Sequence, residues 1–242
     1  YIIAAEKLRR HYRTNEKIDE AVEKASERLE LNGKIVHNDP CGTWMDTTER
    51  PKAVEIQSLW IEALSLIDDP REGKLIEGLE MFKSDEYIKD CLEKEMKTIN
   101  PAVPLMFGQL DSEASKVLET INGEFSSRYG ARTISMTDPG YDSSGYHSGS
   151  VWGLTSLWAS AANLRHGNEK QGLNFMENFA GFVERFQPGA YPENVDAETG
   201  KLLGCSEQAW SAGMIIHVID SHYVDCIANE TFDVKPTSSS IP

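Results

Sequence analysis

The clearest periodic run in the chain follows Pro51, where Ala53, Ile56, Trp60, Ala63 and Ile67 recur at spacings of three and four while Glu55, Ser58, Glu62 and Ser65 fall opposite. This predicts a mostly buried helix over 53–68 with one narrow polar stripe, closed by Asp68-Asp69-Pro70. Gln57 falls among the apolar positions, so it needs a buried hydrogen-bond partner or must face a cavity. Ahead of this run, Ile2, Ile3, Leu8 and Tyr12 form one stripe and Ile18, Val22, Ala25 and Leu29 a second, predicting two helices within 1–31 with Thr14 or Asn15 as the second cap. Beyond it, helices are predicted over 71–82 and over 85–98, the latter from Tyr87, Ile88, Cys91, Leu92 and Met96 with a charged, solvated outer face. A short apolar element lies between Asn100 and Leu110, and Asp111 caps a helix through Ile121. Later helices are read over 154–165, about 169–186 with a stop at Gln187-Pro-Gly189, and from Cys205 to about residue 228.

The intervening segments carry as much information. Residues 34–52 are turn-like, because Asp39-Pro40 and Cys41-Gly42 break structure and Thr47-Thr48 is a poor helix interior. Residues 126–149 are rich in Ser, Gly, Tyr and Asp and are too long for an ordinary connector. Their aromatic content argues for an ordered, functional loop. Amphipathic outer helices thus alternate with apolar helices preceded by loops bearing Trp, Tyr and acids. An all-α (α/α) toroid gives this pattern, since its inner helices are enclosed and their loops converge at one end. One domain over 1–230 and a tail over 231–242 are expected.

Composition narrows the partners. The 242 residues carry 39 acidic and 24 basic side chains, a net charge of −15, which repels nucleic acid and anionic membranes and tolerates a neutral sugar. No run approaches the roughly 18 apolar residues of a membrane-spanning helix. Cys41, Cys91, Cys205 and Cys226 lie far apart with no CxxC pair, so neither a metal site nor a cofactor is expected, and a reduced, cytoplasmic setting is the default. Oligomeric state is left open.

Two loops carry acids that could serve as a proton donor and as a group that activates water. Asp46 stands at the mouth of the buried helix between Trp44-Met45 and Thr47, surroundings read as disfavouring an ionised carboxylate and suiting a general acid. An acid before a helix is ordinarily a turn residue, so position alone does not make it a catalyst. For the second group the loop 187–204 offers Glu193, Asp196 and Glu198. Glu193 follows Tyr191-Pro192, whose rigidity could hold it, whereas Glu198 lies in a turn that reads as exposed. Trp44, Trp152 and Trp210 could stack on sugar faces, although a core role competes for each; Glu55, Gln57 and His147 could bond hydroxyls, against the alternatives of a first-turn acid favoured by the helix dipole, a buried polar contact and a structural histidine.

The strings Gly42-Thr-Trp-Met-Asp46 and Val54-Glu-Ile-Gln-Ser-Leu-Trp60, the His-x-Gly-x-Val-Trp run ending at Trp152, and Tyr191-Pro-Glu-Asn with Gly204-Cys-Ser-Glu-Gln-Ala-Trp210 resemble the amylo-α-1,6-glucosidase (glycogen debranching) family and its glycoside hydrolase relatives. The resemblance spans roughly 34–230. It implies an (α/α)6 barrel, Asp46 as acid, Glu193 as base, a sugar pocket lined by His147 and Trp152, and inversion at the sugar carbon. It also implies several barrel helices upstream of the Asp46 loop, where this chain has about 45 residues. The expected activity is glucose release from α-1,6 branch points of an α-glucan. A hydrolase of small glucosides such as trehalose or glucosylglycerate is the alternative, and a non-catalytic helical-repeat scaffold is the rival from another class.

Overall fold

The computed structural model describes residues 1–9, 12, 16–186 and 190–222. The predicted caps Thr14 and Asn15, the stop at 187–189, Cys226 and the tail lie outside the described residues. The all-α expectation holds: among the described residues, strands occur only as two-residue pairs between helices. Helices α1 (Ile2–Arg9) and α2 (Glu16–Glu27) bury Ile2, Ala5 and Val22 against Ala63. A hairpin of β1 (Leu31–Asn32) and β2 (Ile35–Val36) follows, turning at Gly33, whose φ of 67° is left-handed and suits glycine.

Helix α3 (Val54–Leu66) is the predicted buried run. Gln57 within it finds the partners its position demanded: Oε1 accepts from Val36 N at 2.9 Å, and Nε2 donates to Lys34 O and Leu75 O at 2.9 and 2.8 Å. The amide thereby ties the hairpin and α4 (Glu72–Leu79) to α3, and Gly78 lets them approach, since a Cβ there would meet Lys34 O at 2.0 Å. A 3-10 turn over Glu80–Phe82 ends α4.

The helix predicted over 85–98 does not form. The segment is irregular and is pinned by isolated bridges, Lys83 to Ile88, Ala53 to Cys91 and Thr98 to Ile134. Tyr87, Ile88 and Cys91 are buried by those crossings, Leu92 and Met96 only partly, and Asp90, an acid in a segment whose charges were expected on a solvated face, is wholly buried. The Asp90 carbonyl accepts the Val54 amide at 2.9 Å, satisfying one of the orphan donors at the start of α3.

Next come α5 (Ala102–Met106), a 3-10 turn over Asp111–Glu113, α6 (Ala114–Thr120) and a π-helical turn over Ile121–Phe125. The long loop holds β3 (Ser126–Ser127), paired with β4 (Gly130–Ala131), and ends at β5 (Val151–Trp152). Helix α7 (Gly153–Arg165) then runs through the core, buried from Gly153 to Asn163 and packed against α5, α8 (Glu169–Phe186) and α9 (Ala209–His222). Its small residues make that possible: a Cβ at Gly153 would stand 2.4 Å from Ser211 Oγ on α9 and 2.6 Å from Phe179 on α8. Between α8 and α9, β6 (Asn194–Val195) pairs antiparallel with β5, Val151 opposite Val195 and Trp152 opposite Asn194. This short ladder carries the Glu193 loop to the Tyr146–His147 loop.

Candidate active site

The Asp46 loop turns Trp44 and Met45 inward and Asp46 outward. Met45 is fully buried, Trp44 partly so and Asp46 exposed. The enclosed carboxylate expected at Asp46 is therefore not what the loop builds; its apolar neighbours face the core instead. Beneath the loop, Arg50 is wholly buried and lies between two carboxylates, with Glu55 Oε1 and Oε2 at 2.7 and 2.6 Å and Asp90 Oδ2 and Oδ1 at 2.6 and 2.8 Å. These flanking carboxylates outweigh burial and raise the guanidinium pKa, so Arg50 stays charged, whereas burial pushes the Glu55 carboxyl up against the opposing pull of Arg50.

This arrangement corrects two sequence readings. Glu55, taken as a sugar-binding candidate, is 1% exposed and committed to Arg50. Gln57, the other candidate on this helix, has its carbonyl and both amide hydrogens engaged by backbone groups. Neither presents a free polar atom to a substrate.

His147 sits above the loop. Its Nδ1 is 2.7 Å from Thr47 Oγ1, its ring stacks on Trp152 at 5.2 Å and meets Trp44 edge-on at 5.3 Å. Burial lowers its pKa; the charges of Asp46 and Glu193 oppose that shift and the charge of Arg50 reinforces it. The ring is thus favoured neutral near pH 7, with one nitrogen still able to accept or donate. Among the described residues its buried Nε2 has no hydrogen-bond partner.

Glu193 reaches the same place from the other side. Its Oε1 accepts from Tyr146 Oη at 2.5 Å and its Oε2 from the Cys205 amide at 2.9 Å. Burial, followed by the hydrogen bond and charge of Glu193, pushes the Tyr146 phenol up to about 12, with Asp46 adding a further push. Thr47, next to Asp46, bonds His147, and Tyr146, next to His147, bonds Glu193, so the structure brings the Asp46 loop and the Glu193 loop to one pair of adjacent rings. The rival acids go elsewhere: burial alone would raise Asp196, but donors from Thr199 and Glu198 hold it below the usual range, and Glu198 is exposed on that turn.

The aromatic residues divide by accessibility. Trp152 is 1% exposed, with Nε1 donating to Tyr146 O at 2.7 Å, so it is a floor beneath His147 and Tyr146 rather than an open stacking face. Trp210 is 37% exposed and tilts against Trp152 at 5.9 Å, and Tyr146 stands 4.7 Å from the same ring. Sequence reasoning missed Tyr146, Thr47 and Asn194. The available signal was weak: a tyrosine beside the histidine in a glycine-rich loop, and an asparagine after Glu193. Asn194 is buried, donates to Ser150 Oγ at 3.1 Å and leaves Oδ1 without a partner among the described residues.

Residues 55–211 match the family model described as mannosylglycerate hydrolase MGH1-like glycoside hydrolase domain. A comparison with curated protein sequences finds no match. Among solved structures, the chain is similar to the GH63 mannosylglycerate hydrolase from Thermus thermophilus. The form with Tris and D-glycerate is 18% identical, with a TM-score of 0.57, and the match covers 70% of this chain and 45% of that one. The form with glucose is 17% identical, with a TM-score of 0.54, 69% of this chain and 45% of that one. A structure named sialidase is 14% identical with a TM-score of 0.61, over 84% of this chain and 23% of that one. The chain spans under half the length of these structures, and the likeness is one of fold.

Proposed function

We infer the function from the family to which the chain belongs, the mannosylglycerate hydrolase MGH1-like glycoside hydrolases: the protein hydrolyses a glycosidic bond, with Asp46 as general acid and Glu193 as general base. The helical fold is of the (α/α)6 type that the motifs implied, while membership of the glycogen-debranching family specifically is not supported by the match. The observation that carries the reading is the junction of the Asp46 loop and the Glu193 loop, made by the Thr47–His147 and Tyr146–Glu193 hydrogen bonds. In this reading Asp46, exposed toward the incoming bond, protonates the departing oxygen. Glu193, held by Tyr146 and the Cys205 amide, takes a proton from the attacking water. The exposed faces of Tyr146 and Trp210 receive a sugar face, with the buried His147 ring packed beside Tyr146.

The substrate proposed is a small α-glycoside of a short hydroxy acid or polyol, the class to which mannosylglycerate and glucosylglycerate belong. The names of the family and of its structural neighbours support it. Branched α-glucan, the first expectation from the motifs, is the competing substrate. Release of free sugar by the full-length protein from mannosylglycerate, glucosylglycerate and limit dextrin decides between them, and release from limit dextrin alone would restore the debranching reading.

Inversion carries two further expectations. Acid and base in an inverting enzyme stand roughly 6.5–9.5 Å apart, leaving room for water. The first product from an α-linked substrate is then the β-anomer. Proton NMR of the fresh reaction reads this directly, and an initial α-anomer signal would turn Glu193 into a nucleophile. Gly204 is expected to be intolerant, because a Cβ there would lie 2.4 Å from Glu193 Oε2 and 2.3 Å from Asn194 Oδ1. Gly204→Ala should lower turnover by on the order of 10²-fold through displacement of the base, with the melting temperature nearly unchanged. Full turnover in that variant would show that the carboxylate position is not critical.

A further inference from the structure

Three consecutive residues ahead of Asp46 are each held by the buried ionic group under the loop. Arg50 donates to Thr43 Oγ1 at 3.0 Å, and the same hydroxyl accepts the Met45 amide at 3.2 Å. Asn100, itself wholly buried, takes the other two: its Oδ1 accepts from Trp44 Nε1 at 2.9 Å, and its Nδ2 lies 3.2 Å from Met45 Sδ. The same Nδ2 donates to Asp90 Oδ1 at 2.7 Å, and the Asn100 amide donates to Thr98 Oγ1, which in turn donates to Asp90.

The amide cannot be turned over in this setting. A carboxylate accepts and never donates, so Asp90 selects the NH2 end of Asn100. The indole N–H donates and never accepts, so Trp44 requires the C=O end. Asp90, fixed by Arg50, therefore sets which way Asn100 points, and Asn100 sets the indole beside Asp46. The sequence reading gave neither Asn100 nor Asp90 a role at the site, and neither has a part in the proton transfers described above.

We propose that Asn100 is a positioning residue for the general acid, acting through Trp44 and Met45 and itself oriented by the buried Asp90–Arg50 pair. The proposal rests on the assignment of Asp46 as acid. If the loop mount is lost, Asp46 samples positions from which it no longer reaches the departing oxygen, while the base Glu193 keeps its own hydrogen bonds from Tyr146 and the Cys205 amide, neither of which Asn100 makes. The loss then falls on one kind of substrate. An alkoxide leaving group needs a proton from the acid, whereas fluoride departs without one.

The test compares Asn100→Leu with the wild-type full-length protein on two substrates: the alkyl glycoside it hydrolyses best and the corresponding α-glycosyl fluoride. Asn100→Leu is expected to lower kcat on the alkyl glycoside about 30-fold or more and on the fluoride less than threefold, with KM for both little changed. Trp44→Phe, which removes the indole donor together with part of the ring and keeps an aromatic side chain, gives the same selective loss and stands in where Asn100→Leu does not fold. An equal loss on both substrates, or no loss on either, overturns the proposal. Asp46→Asn run in parallel separates the two levels: if it retains wild-type turnover of the alkyl glycoside, the acid assignment falls and the positioning role falls with it. If Asp46→Asn shows the selective loss and Asn100→Leu does not, only the positioning role is rejected.

Discussion

Arg50→Met is expected to lower the free energy of unfolding by about 3–5 kcal/mol, because it leaves two buried carboxylates without their cation. Glu55 and Asp90 both lie within 3 Å of the guanidinium and both are shielded from water. The pH dependence gives the deficit its signature. Burial already holds the folded Glu55 carboxyl above its ordinary value, and Arg50 is the group pulling it down. Removing the cation raises it further. Between the unfolded carboxylate value, about 4.3, and the higher folded value, the folded variant binds more protons than the unfolded chain. Its stability therefore rises as pH falls through that window. Urea denaturation of variant and wild type at pH 8 and pH 5 should show a large gap at the first and a smaller one at the second. A gap of the same size at both would mean that lost packing, not uncompensated charge, is the cost.

Asp46→Asn and Glu193→Gln should each reduce kcat roughly 10²–10⁴-fold, the usual contribution of a positioned acid or base, with little change in melting temperature. The structure makes the second expectation specific. Asp46 is exposed, and Glu193 is tied by a phenol and one amide that a carboxamide oxygen still satisfies in part. Near-wild-type turnover in either variant, measured on the preferred glycoside, would reject the role assigned to that residue. Unfolding of either would instead show that the carboxylate is a structural member of its loop.

What the sequence made legible follows from how each signal is written. Helix α3 was read within a residue or two at each end, and α8 closely, because apolar spacing and strong breakers are local properties of the chain. Gln57 was legible as a polar group in need of partners, but the partners are backbone atoms of residues 34, 36 and 75, which no side-chain pattern encodes. The segment 85–98 shows the converse. Tyr87, Ile88 and Cys91 have helical spacing and are buried, yet the burial comes from crossings by other segments, and a single fully buried acid, Asp90, decides the local path. A buried charge looks in a sequence like a surface charge. For the same reason the sequence left Glu55 open between a ligand and a first-turn acid, when it faces Arg50. At the site, the loops bearing Asp46, His147 and Glu193 were picked out by their unusual Trp, Gly and acid content, whereas Tyr146, Asn100 and Thr47 needed the tertiary structure to acquire meaning.

The hydrogen bond between Thr47 and His147 joins residues 100 positions apart in the chain. On one side of it stand Asp46 and the ionic mount drawn from residues 43–100; on the other stand Tyr146, β5, β6 and Glu193. The spacing between the two carboxylates is therefore a property of how two separately braced pieces meet, and nothing within either piece encodes it. Contacts of such long sequence separation are costly to close and form late. The reaction centre is therefore expected to be completed late in folding and to open before the helices melt. Mild denaturant will extinguish turnover while the helices still give their full circular dichroism, which makes activity the finer gauge of the native state.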